Sequence, residues 1–251
     1  MSSRLLSLYA LALASVALAA PLVYHTPRST SSSSYDEFAA DSSLDVSAIY
    51  DAAKQATKKQ IPGASYLTDP GSNDYVQIYQ DWSDLPQVSA FHFIADMDID
   101  CDGVDWNCKG NTGDGQKETS FGALDASKVP WYVIPQSFAD KQGNSLKPNA
   151  LGAIICNGKM FYAIFGDSNG ATPQVIGEGS LLLGQACFNT DSLQVSGGNG
   201  HDQKDVAYIV FGNEVPTGVG KNTIDLAALK ELGDKQVHLL VQDLGLSTKS
   251  Q

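Results

Sequence analysis

The chain has 251 residues, with 28 acidic against 16 basic side chains and a formal charge of −12. That balance argues against nucleic acid or an anionic membrane as partner and suits a cationic one, although an acidic surface also serves solubility. Cysteines and histidines number four each, and no C-x-x-C pair occurs, which speaks against a metal centre built on them.

Residues 1–19 carry Arg4, an apolar stretch from Leu5 to Leu18 and a small-x-small site at Ala17-Leu18-Ala19, the pattern of a secretory signal peptide. The stretch is short for a membrane anchor, and no other segment approaches the ~20 apolar residues of a membrane span. Residues 20–43 are Ser-rich and aperiodic, and read as a flexible leader or propeptide. Residues 44–251 are then long enough for one well-packed domain, which is expected to carry the activity. Secretion implies oxidised cysteines, for which three pairings exist. The closeness of Cys101 and Cys108, with Gly103 and Asn107 between them, favours Cys101–Cys108 with Cys156–Cys187.

In chain order, "DVSAIYDAAKQATKKQIPG" predicts a helix capped by Asp45 or Ser47 and stopped at Pro62-Gly63. Short runs rich in β-branched and aromatic residues predict strands at 88–96, 130–136, 150–166, 205–212 and 236–243. Asn157-Gly158 divides the third run into a hairpin. Asp167 then falls just past the second strand, and Ser168-Asn169-Gly170 makes a turn. "GEGSLLLGQACF" fits either a short helix near Glu178 or another strand. "NTIDLAALKELG" predicts a helix capped by Asn222 or Thr223 and ended by Gly233. The fold class is mainly β with a few helices, best met by a single-domain β-barrel. A double-psi-like barrel is one such form, suggested by analogy alone.

Chemistry is concentrated in carboxylates. "ADMDIDCDGVDWNCKG" places Asp96, Asp98, Asp100, Asp102 and Asp105 within ten residues. Asp98, Asp100 and Asp102-Gly103 match the start of a calcium loop, but Lys109 stands where the closing Glu belongs. Alternatively these acids line a groove, where their mutual repulsion would be relieved by a cationic sugar. Asp105 reads as a solvated loop residue. Trp106, inside the acidic loop, is a candidate sugar platform, whereas Trp82, Trp131 and Tyr162 fit the core. His92 alternates with Phe91 and Phe93 on a strand. His201 lies in a Gly-rich loop and His238 in an apolar run, and none of them has a nucleophile motif beside it. In "FYAIFGDSNGATPQVIGEGS", Asp167 and Glu178 are two separated carboxylates set among glycines. Glu178, after Val175-Ile176 and before Leu181, is placed for partial burial and a raised pKa. Asp167, among Ser168 and Asn169, is placed to stay ionised.

"ADMDIDCDG", "WYVIP" and "YAIFGDSNG…QVIGEGSLLLGQACF" resemble the fungal chitosanases of glycoside hydrolase family 75 in the same order, from about Val88 onward. The resemblance implies a secreted, disulfide-bonded, monomeric endo-hydrolase. Such an enzyme cuts β-1,4-linked glucosamine polymer with inversion and needs no cofactor or metal. It also implies an essential Asp in the F-G-D motif and a Glu in the following G-E motif, here Asp167 and Glu178. Gly179 departs from the Ala expected after that Glu. Asp96, Asp98, Asp100, Asp102 and Trp106 are then the candidate contacts to cationic chitosan. The competing reading is a non-hydrolytic wall-binding or calcium-stabilised β-barrel.

Overall fold

A computed structural model describes residues 35–104, 106, 108, 115–188 and 200–247. The predicted signal peptide and residues 20–34 of the leader, together with Asp105 and Lys109, lie outside them, whereas residues 35–43, expected as leader, are described and bury Phe38 in the core. The described elements are α1 (Val46–Gln55), β1 (Gln60–Leu67), β2 (Tyr75–Tyr79), β3 (Phe91–Asp100), β4 (Trp131–Pro135), α2 (Gln136–Gln142), β5 (Leu151–Cys156), β6 (Lys159–Asn169), β7 (Glu178–Ser180), α3 (Leu181–Phe188), β8 (His201–Phe211) and α4 (Leu226–Asp243).

Six strands close on themselves in the order β3-β7-β4-β6-β5-β8, because β8 pairs with β3 as well as with β5. β1 and β2 continue the sheet outward from β3. Pairing is mixed: β3–β7 and β4–β6 are parallel, and the other barrel pairs are antiparallel. Closure leaves no free edge among these six strands. Their inward residues include Phe93, Tyr132, Phe165 and Tyr208, all at most 2% exposed. β5 is buried along its whole length, since α4 covers β5 and β6 on the outside. Such two-sided burial reads in sequence as an unbroken apolar run, as in "LGAIIC".

The hairpin at Asn157-Gly158 forms as expected, both residues having positive φ. α1 is capped by the Asp45 side chain, which accepts from the Ala48 N–H. It ends at Gln55, earlier than Pro62-Gly63, which instead lies in the irregular start of β1. This strand is at the sheet's outer edge, where proline is tolerated. Both favoured disulfides are present.

The largest correction concerns the C-terminus. Residues 236–243 are not a strand but the second half of α4, which buries Leu229, Gly233, Gln236, Val237, Leu240 and Val241 at helical spacing. Its cap is Asp225, not Asn222 or Thr223, and it runs through Gly233 rather than stopping there. A Cβ at Gly233 would sit 2.3 Å from Cγ of Tyr162, so the glycine allows helix and barrel to approach closely. "GEGSLLLGQACF" is both things weighed for it, three residues of β7 followed by α3.

Candidate active site

β6 runs to Asn169, so Asp167 lies within the strand rather than beyond it, and the expected turn at Ser168-Asn169 is extended backbone. β4 lies between β6 and β7. Val133 pairs with Asp167 on one side, while Tyr132 pairs with Gly179 on the other, which sets Val133 abreast of Glu178. Across the next pair, Glu178 pairs with Asp98 of β3. The barrel wall thus carries a row of four residues, Asp98, Glu178, Val133 and Asp167. With adjacent strands about 4.8 Å apart, Asp167 and Glu178 are rooted about 10 Å from each other.

A cavity of about 260 Å³ opens over this row, lined by Asp100, Asp102, Val133, Asp167, Asn169 and Glu178, with Gln116 at its rim. The exit of β3 reaches it because two backbone bonds dock this loop on the segment 116–124, while the Cys101–Cys108 bridge closes the loop on itself. Those bonds run from Gly103 N to Gln116 O and from Val104 N to Leu124 O. Gly103 has a positive φ, and a Cβ there would meet Leu124 O at 1.9 Å.

The same segment delivers Ser120. A turn closed by Thr119 and Gly122, with Phe121 packed edge-on against Phe165, presents the Ser120 backbone N–H and hydroxyl to Asp167 Oδ1 at 2.8 and 2.7 Å. The Ser168 N–H donates to the same oxygen at 2.7 Å. Asp167 is only 7% exposed, and burial raises its pKa, but these three donors oppose the rise by favouring the ionised form.

Glu178 is held differently. Its Oε2 accepts one hydrogen bond, 3.0 Å from Asn169 Nδ2. Burial above all, and then the charges of Asp100, Asp98 and Asp167, push its carboxyl well above the usual range, while the Asn169 bond opposes them.

Asp100 accepts from Trp131 Nε1 at 2.8 Å and from the Asp102 N–H at 2.9 Å. It too is raised, by burial, Asp167 and Asp102. Asp102 accepts from the Gln116 N–H at 2.6 Å, and burial brings it to about 6. Asp100, Asp102 and Asp167 each offer an oxygen within 4.8 Å of the others, close enough to share one cation.

Asp96 and Asp98 lie outside the lining of this cavity, further back along β3. Trp106 is half-buried in the loop after β3 and does not line it either. Among the core candidates, Trp82 is buried with its ring stacked on His92, and Tyr162 donates to Asp234. Trp131 is also core, yet its indole N–H serves the site through Asp100. His92 is fully buried against Ala56 O, His201 opens β8 paired with Asp205, and His238 is on α4, not on a strand. Ser120, Gln116 and Val133 were not singled out from sequence. Only folding brings them to the carboxylates.

Residues 97–238 match the family model of "Fungal chitosanase of glycosyl hydrolase group 75". The chain is 48% identical over 215 residues to "Endo-chitosanase C" of Aspergillus oryzae, covering 83% of this chain and 55% of that protein. It is 37% identical over 166 residues to "Endo-chitosanase B" of the same fungus, and 34% identical over 173 residues to "Endo-chitosanase" of Aspergillus fumigatus. These alignments cover 56% and 60% of this chain, and 66% and 71% of those proteins. The chain spans about half the length of the first relative. A barrel that sets Asp167 and Glu178 two strands apart under one acidic cavity, together with a family match across that barrel, places this chain among the fungal chitosanases of glycosyl hydrolase group 75.

Proposed function

We propose that the protein is a secreted, monomeric endo-chitosanase that hydrolyses β-1,4 links between glucosamine units with inversion, without a cofactor. Glu178 is the general acid and Asp167 the general base. The observation that carries this reading is the contrast between the two carboxyls across β4. Asp167 is equipped to be ionised, and Glu178 to hold a proton.

Inversion requires one carboxyl to protonate the leaving oxygen and the other to take a proton from water attacking the opposite face, with the two about 6.5–9.5 Å apart. Roots about 10 Å apart, with Val133 as a small floor between them, suit that gap better than the ~5–5.5 Å of a nucleophile and its partner. The Asp100 and Asp102 carboxylates beside the pair suit the ammonium groups of chitosan. The relatives' printed names agree with that substrate, and the two disulfides with export.

The test is reducing-end release from soluble chitosan, with chitin and cellulose as controls, and NMR of the first products. The α-anomer is expected from the β-linked polymer. A β-anomer, or cleavage of the controls alone, contradicts the reading. A second reading, a calcium-stabilised barrel, draws on the convergence of Asp100, Asp102 and Asp167. It requires a chelator to lower the melting temperature and calcium to restore it. The chitosanase reading expects neither.

A further inference from the structure

Glu178 has acidic neighbours on both sides, and those away from Asp167 take no part in the chemistry above. Asp98 stands directly across from Glu178 on β3, and Asp96 lies two residues back on the same face. On one flank the end of β1 follows the segment that leads into Glu178. Leu67 bridges Val175, its carbonyl accepts from the Ile176 N–H at 3.0 Å, and Asp69 comes two residues later. On the other flank Met97 pairs with His201, next to Asp202 at the start of β8. The fields of Asp69 and Asp202 reach both Asp96 and Asp98. None of the four lines the cavity over Asp167.

Convergent acids alone are no site, but Asp96 adds an independent sign. It is 3% exposed, and its Oδ1 has no hydrogen-bond partner among the described residues. The carboxyl is pressed against Gly177, where a Cβ would lie 2.2 Å from Oδ1. Gly177 has φ +103°, a conformation that glycine adopts freely. A buried carboxyl oxygen without a donor, under three further acids, costs folding free energy rather than adding to it. What relieves all four is positive charge arriving from outside. Beside them Tyr75, the strand partner of Leu67, is 60% exposed and offers an aromatic face for a sugar ring.

We propose that Asp69, Asp96, Asp98 and Asp202 form a second amine-binding half-site, across Glu178 from Asp167. It takes the protonated amino groups of the glucosamine units on that side of the cleaved bond. This rests on the chitosanase reading for the identity of the polymer. Asp69 and Asp202 are exposed and meet the ammonium groups at the surface, while Asp96 and Asp98 lie beneath and ionise as that positive charge arrives. The groove therefore grips the chain on both sides of the bond.

The test is calorimetric titration of glucosamine hexamer into Glu178→Gln protein, with and without Asp69→Asn/Asp202→Asn. Asp51→Asn/Asp84→Asn serves as a control that removes two exposed acids elsewhere. The half-site variant should lose about tenfold in affinity, with a shallower salt dependence. The control pair should lose little, and the N-acetylated hexamer should not distinguish the variants. Equal affinity for the glucosamine hexamer in the half-site variant and the control pair overturns the proposal. So does calcium that binds the parent and excludes the hexamer. Hydrolysis of chitosan with unchanged hexamer affinity removes the half-site and spares the chitosanase reading. Lost affinity in a protein whose wild type cleaves no chitosan removes that reading and spares the half-site.

Discussion

Asp167 is buried and Glu178 half-buried, and desolvation raises the pKa of both, yet the barrel treats them oppositely. One oxygen of Asp167 gathers three donors, from Ser120 and Ser168. Among the described residues Glu178 has one donor, from Asn169, and it faces the charges of three other acids. Burial alone does not choose between acid and base. In the proposed assignment the difference comes from who donates and who repels, and a loop and a neighbouring strand provide the two.

The comparison breaks most decisively if the two carboxyls are neutralised in turn. Glu178→Gln and Asp167→Asn should each lower kcat on chitosan by about 10²–10⁴-fold with circular dichroism unchanged. Near-normal turnover by either removes that residue from the mechanism. A smaller effect is expected from Ser120→Ala, which takes the hydroxyl donor from Asp167 and leaves the backbone one. Activity near neutral pH should fall by about tenfold, the size of one hydrogen bond to a charged group. The acid limb of the kcat/KM profile should move to higher pH, because Asp167 ionises less readily. Smaller again is Asn169→Leu. With the one Glu178 donor found among the described residues gone, the alkaline limb should move upward, with a loss of about threefold. A downward shift would mean that Asn169 acts on something else.

The gentlest test needs no mutation. Asp96 is raised from 3.8 to about 7, and Asp98 and Asp102 to about 6, in each case mainly by burial. The folded protein therefore binds more protons than the unfolded chain between about pH 4 and pH 7. The stability from these groups is fully present below the unfolded value and is lost as pH rises through the folded ones. The melting temperature should drop by several degrees from pH 5 to pH 7.5, and glucosamine oligomers should reduce the drop. A flat or opposite trend contradicts the assigned burial.

Local patterning made some of this legible. Asn157-Gly158 fixed a hairpin wherever the rest of the chain went, and the family resemblance pointed to Asp167 and Glu178 through their F-G-D and G-E motifs. Residues 236–243 misled because Val and Leu suit a strand and a buried helix face alike, and Gly233 looked like an end when it is a contact with Tyr162. Asp167 seemed to sit in a polar turn because its neighbours are Ser168 and Asn169. In the fold it is a buried residue within β6, and Ser120, which donates to it, lies 47 positions away. A serine in an unpatterned loop carries no local signal of such a role. The acidic run was visible as a group, but its division into Asp100 and Asp102 near Asp167, and Asp96 and Asp98 across Glu178, depends on strand pairing alone.

The division of labour between the two carboxyls is tested most directly with a glucosamine oligomer carrying fluoride at its reducing end in place of the next sugar. Fluoride departs without a proton, so the general acid becomes dispensable while the base is still needed. Turnover of this substrate by Glu178→Gln should be close to wild type, and by Asp167→Asn should be nearly abolished. Fluoride release that survives in Asp167→Asn and fails in Glu178→Gln would reverse the assignment of acid and base.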